Sequence, residues 1–234
     1  MEWADLAQRW SPAARTELLA PQGVLVVLAV TALAVGWSPA WRVLRLGVTL
    51  VHELGHAVVG VLSGRRFTGF VLRPDMSGHT VTVGRPRGPG LVATTWAGYP
   101  APAVAGAVLV LAAARGWAAP ALTLTLLALL VSLVYVRSAL TGVVVLAVLA
   151  AGGSLWWWRD DVVQQHVLVG LGLLLLVGAW RHLGATVRSR DAGSDSSAMA
   201  RLTGVPGAVW QGSFALVCAG ATWASGAALL AAWG

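Results

Sequence analysis

Apolar residues run through this chain in long blocks separated by short polar breaks, a spacing that suits helices crossing a bilayer. Seven blocks stand out, at about 22–37, 39–62, 91–114, 118–136, 138–155, 162–180 and 207–233. Between the fourth and fifth only Arg137 intervenes, so a tight turn is required there. The second and third blocks are joined by a segment of another kind. Two β-rich runs flank Pro74-Asp75-Met76-Ser77-Gly78, which is turn chemistry, and a β-hairpin is predicted within 65–88. Residues 1–20 read as an interfacial N-terminal stretch. Residues 182–206 read as a polar loop carrying a short amphipathic helix around Ala198, Met199 and Leu202. The first block resembles part of a signal peptide, but a multispan chain follows it, so it is read as a retained first span. The expected fold is an all-α polytopic membrane protein of about 6–7 spans with one small hairpin.

Composition agrees with that pattern. The chain is 57% apolar and 11% charged, with a mean hydropathy of +0.75. All 16 basic residues are arginine, and the net charge is +7. No basic run alternates with aromatics, so nucleic acid is not an expected partner. Several of the 13 tryptophans (Trp37, Trp41, Trp117, Trp156, Trp157, Trp158, Trp180) fall at block ends, as an interfacial belt would. Cys218 is alone, which excludes an intrachain disulfide and a multi-cysteine metal cage. Assigning the arginines alternately to the two faces of a seven-span chain gives twelve against four. By the positive-inside rule this puts the N-terminus and the longer loops in the cytoplasm of a cell-membrane protein.

The chemistry lies in the second block, at His52-Glu53-Leu54-Gly55-His56. Positions four apart share one helix face, so His52 and His56 can hold one metal ion together. Glu53 is then placed to take a proton from a metal-activated water, the H-E-x-x-H arrangement of zinc peptidases. At this composition the pattern arises by chance with a probability of roughly 0.4%. Two buried histidines bonded to backbone are the plainer alternative. Three ionisable groups in an apolar span are too costly to be retained without a use. A helix ending near Gly64 puts His56 roughly 12 Å inside its face of the membrane. Gly55, Gly60 and Gly64 let a neighbour approach closely, and ordinary helix packing suffices to explain them.

Zinc in a hydrolase takes three protein ligands and keeps one position for water. Asp195, at a predicted helix start, serves either as the third ligand or as a helix cap. Asp75 and His79 belong to the hairpin and read as turn and surface residues. His182 sits at the end of the sixth block, where snorkelling or the helix dipole accounts for it. His166 falls near the opposite face, out of reach. In the third block, Ala97-Gly98-Tyr99-Pro100-Ala101-Pro102 must bend or unwind. Its freed backbone serves either a packing kink or pairing with an extended substrate.

Taken together, His-Glu-Leu-Gly-His on a span, a β-rich hairpin and an Ala-Gly-x-Pro helix resemble the site-2 protease class of intramembrane zinc metallopeptidases. The stretches from Val51 to about Gly106 and from Ser194-Asp195 through Leu202-Thr203-Gly204-Val205-Pro206 to Trp210 are similar to its compact bacterial branch, which lacks a PDZ domain. The resemblance implies a single peptidase domain over 1–234. It implies His52 and His56 as zinc ligands and Glu53 as catalytic base, and it favours Asp195 as third ligand. The implied substrate is a membrane-embedded or membrane-proximal peptide. Better-known members draw the third ligand from an Asp-Gly pair, which this sequence lacks. Two other classes remain in view. One is a catalytically silent scaffold of the same fold. The other is a metal permease, which would need further ionisable groups in other spans and an internal repeat.

Overall fold

The computed structural model describes residues 7–13, 19–189 and 192–232. Helices α1 (Pro21–Gly36) and α2 (Ser38–Leu62) are followed by strands β1 (Arg66–Leu72) and β2 (Gly78–Val83). Then come α3 (Pro89–Trp96), α4 (Pro100–Ala114), α5 (Ala118–Ser132), α6 (Ala139–Trp157), α7 (Asp161–Ser189), α8 (Asp195–Thr203) and α9 (Gly207–Ala231). Five of these helices have the length and composition to cross a membrane, or six when α3 and α4 count as one broken span. That pair bends by 61° between Trp96 and Pro100, where prolines remove backbone donors. The polytopic all-α architecture with a small hairpin is thus as expected.

The bundle is organised around α7. Helix α4 packs against it so closely that a Cβ on Gly106 would lie 2.5 Å from the Gly172 carbonyl oxygen. Small residues give apolar helices this contact where no hydrophobic force drives them together. Outward faces expose Leu33, Leu62, Leu216 and Trp223, a surface suited to acyl chains and not to water.

Helix α2 ends on Gly64, whose φ of +75° places it in the left-handed region that glycine adopts freely. In the hairpin that follows, Arg66 pairs with Val83 and Leu72 with Gly78. The Asp75 carboxylate accepts from the Ser77 amide at 2.9 Å and from its hydroxyl at 2.7 Å, closing the turn. These bonds hold the Asp75 carboxyl below its ordinary value. Phe70 and Leu72 are buried with Leu50, Leu129 and Val145. The outer edge of β1 is satisfied: the Arg137 amide donates to the Phe70 carbonyl at 3.2 Å, and the Leu72 amide donates to Thr141 Oγ1 at 2.7 Å. Strand β2 has β1 as its one strand partner among the described residues.

Two expectations need correction. Helix α7 continues to Ser189, so His182 lies within it and the polar connection is shorter than 182–206. The N-terminal stretch also does not share an end with the histidine motif. The Ala13 amide donates to the Gly116 carbonyl at 2.8 Å. Arg9 sits over Trp156 and Trp157, and Arg159 donates to Ser11 Oγ. All of these lie at the end opposite the motif. Alternation fails because α1 runs parallel to α7: Gly23 abuts His166, Gly170 faces Val27 and Thr31, and Arg181 donates to the Val35 carbonyl. Helix α2 then stays in the motif half. Trp41 lies under Arg181 at one end, and Gly60 meets Thr82 and Thr94 at the other. Of the described arginines, eleven fall at the motif end and three (Arg9, Arg115, Arg159) at the other.

Candidate metal centre

The spacing within α2 does what helix geometry requires. His52 and His56 project from one face, with Nε2 atoms 3.2 Å apart. Asp195 Oδ2 lies 3.3 Å from each of them. The second histidine is oriented by its other nitrogen: His56 Nδ1–H donates to the Thr94 carbonyl at 2.7 Å, leaving Nε2 to point inward as an electron-pair donor. His52 Nδ1 is buried and has no hydrogen-bond partner.

A triangle of edges 3.2, 3.3 and 3.3 Å is informative. Ligands about 2.0–2.1 Å from a tetrahedral zinc are separated by roughly 3.3–3.4 Å. The three donors therefore fit one face of a zinc tetrahedron. Their convergence has no other compensation: Asp195 Oδ2 is buried without a hydrogen-bond donor meeting it. Among the described residues, His52, His56 and Asp195 are the one group of three able to grip a metal ion.

Asp195 reaches this place through local chemistry. It is the first residue of α8, and the preceding Ser194 caps that helix, its Oγ accepting from the Ser197 amide at 3.4 Å. Gly204, with φ +75°, ends the helix. Met199 is fully buried beneath it, and Gln211 donates to Ser196 Oγ at 3.2 Å, tying α8 to α9. Ligand and cap were alternatives for Asp195 in the sequence. The cap is Ser194, which frees the aspartate.

Glu53 is buried next to these candidate ligands. Its side chain packs on β2, where a Cβ on Gly78 would lie 2.3 Å from Glu53 Oε1. Thr80 Oγ1 donates to the Glu53 carbonyl at 3.0 Å. A cavity of about 550 Å³ joins these groups, walled by α2, β2, α3, α7 and α8.

Three residues named in the sequence for other reasons lie against the centre. Gly98 lies at the α3–α4 bend, where a Cβ would come within 2.3 Å of His56 Nε2 and 2.7 Å of His52 Nε2. Tyr99 sets its ring edge-on to His52 at 5.0 Å and bonds the Thr186 hydroxyl. His182 packs 5.2 Å from the His52 ring, so it lies against the site and not at a free helix end. The Ala-Gly-Tyr-Pro segment signalled a bend, but nothing in it signalled what the bend would face. Gly55 packs against Ala97 and Ala101 as helix packing requires. Asp75 stays in its turn, His79 is exposed on the cavity wall, and His166 lies against Gly23 at the far end.

Comparison with known families gives one match: the model described as Peptidase M50B-like covers residues 25–225, a span that includes every residue of the centre. No curated protein and no solved structure matches the chain.

Proposed function

Since the chain belongs to the Peptidase M50B-like family, we propose that it is an intramembrane zinc endopeptidase cutting a membrane-embedded or membrane-proximal peptide segment. The observation that carries this reading is the closed triangle of His52 Nε2, His56 Nε2 and Asp195 Oδ2 beside a buried glutamate. Zinc, when bound there, supplies Lewis acidity toward the scissile carbonyl and acidifies a water molecule. Glu53 takes the proton from the attacking water and returns it to the leaving amine. Thr94 fixes the His56 tautomer, and Gly78 leaves room for the Glu53 carboxylate to turn between these duties. A helical substrate has its carbonyls occupied and must unwind before attack. The edge of β2 away from β1, which has no strand partner among the described residues, borders the cavity beside Glu53 and offers backbone groups to such an extended segment.

The uneven arginine distribution supports a cytoplasmic metal-site end in the cell membrane, with residues 7–13 on the other side. Water then reaches the centre from the cytosol through the cavity.

Proteolysis of a transmembrane reporter peptide by the full-length protein in liposomes tests the proposal. Wild type should cut, chelator should abolish cutting, and Glu53→Gln should retain zinc without cutting. Undiminished cleavage by Glu53→Gln would refute the mechanism.

A further inference from the structure

We propose that the wedge between α2 and α7, next to the metal centre, binds the phosphate of an anionic phospholipid. Arg45, Val48 and His52 all approach one short stretch of α7 around Gly178–His182. Helix α2 therefore crosses α7 instead of lying along it, and the crossing opens a cleft of about 210 Å³. Arg45 enters it from α2, and Arg181 and Arg188 enter from α7. None of the described carboxylates lines this cleft. Glu53 and Asp195 face the metal cavity, Asp75 closes the hairpin turn, and Asp160 and Asp161 lie at the far end.

Three like charges bordering one cleft repel one another, with Arg45 partly buried and Arg181 and Arg188 open to a ligand at its mouth. The arrangement is nevertheless held in place. Arg181 donates to the Val35 carbonyl at 2.9 Å and lies 4.3 Å over the Trp41 ring. Arg188 lies along Gly184, where a Cβ would come within 3.4 Å of its Nη1. A phosphodiester presents oxygens to several guanidinium groups at once, and basic pockets between spanning helices are suited to phospholipid headgroups.

The surroundings favour a lipid over a free anion. The same helices expose apolar side chains elsewhere, among them Val43 of α2 and Val177 and Trp180 of α7, as helices in contact with acyl chains do. Trp41 sits at the rim, where indoles mark the headgroup level. The cleft also shares Thr49 and His182 with the wall of the metal cavity, so a bound headgroup would brace the crossing that holds His52.

The test is native mass spectrometry of the full-length protein in neutral detergent, titrated in parallel with phosphatidylglycerol, phosphatidylcholine of the same chains, and inorganic phosphate. Phosphatidylglycerol should be retained, and Arg45→Gln with Arg181→Gln should weaken it by about tenfold or more. Arg42→Gln, an exposed arginine of α2 outside the cleft, should leave retention unchanged. Zinc content reports folding of each variant, and Arg188→Gln, at an exposed position, serves if the double variant fails that check. Equal retention by wild type and cleft variants, or equal loss in Arg42→Gln, overturns the site. Equal binding of phosphatidylcholine overturns its preference for anionic lipid. Equal binding of inorganic phosphate shows a phosphate site and overturns the lipid.

Discussion

Helix α2 and helix α8 both bring donors to the candidate metal centre, and they do so by different means. Helix α2 presents His52, Glu53 and His56 from the middle of 25 residues, with the hairpin on one side and the α3–α4 bend on the other. Their relative positions are set by the helical repeat. Helix α8 has nine residues and presents Asp195 from its first turn, held by the Ser194 cap and the buried Met199. One source of ligands is built into the bundle, and the other is docked onto it. Substitutions should therefore act on α2 through direct loss of chemistry, and on α8 through position as well.

The largest expected effect is on α2. Glu53→Gln should lower proteolysis by about 10²–10⁴-fold with zinc retained. His56→Ala should lower zinc affinity by more than about 100-fold, beyond what loss of a supporting contact costs. Equal zinc retention in the two variants would break the division between proton carrier and ligand.

Two glycines sharpen that division. Gly98→Ala drives a methyl group toward both imidazole Nε2 atoms, so zinc affinity should fall by about 10–100-fold, an effect like that of losing a ligand's support. Gly78→Ala meets Glu53 instead, so turnover should fall while zinc content stays near wild type. Metal analysis beside the cleavage assay separates the two outcomes.

The same contrast explains what could be read from the residues alone. The H-E-x-x-H spacing is a local property of one helix, and its geometry follows from 3.6 residues per turn. The hairpin was equally legible, since turn chemistry at Pro74–Gly78 is local. Asp195 was a candidate but not an assignment, because its distance from His52 depends on how α8 docks across 142 intervening positions. His182 was misread because it follows the last apolar block beside Arg181, while in space it packs on His52 and Tyr99. The arginine tally misplaced residues 7–13 relative to the motif for a related reason. It assumed that every apolar block reverses the chain, whereas α2 remains in one half and leaves α1 parallel to α7.

The smallest expected effect concerns the docked element. Ser194→Ala removes the α8 cap and should cost about 1 kcal/mol of local stability. That should appear as a severalfold weakening of zinc affinity, with thermal unfolding of the bundle little changed. A loss as large as that of His56→Ala would mean that α8 is as integral to the bundle as α2.

The central claim, that Asp195 completes the centre, is tested most directly by the zinc content of purified Asp195→Ala, measured beside wild type and Glu53→Gln at one buffered free-zinc concentration. Wild type and Glu53→Gln should each carry about one zinc per chain, and Asp195→Ala should fall to about a tenth of that or less. Full zinc content in Asp195→Ala would contradict the account, leaving the two histidines to draw their third ligand from elsewhere.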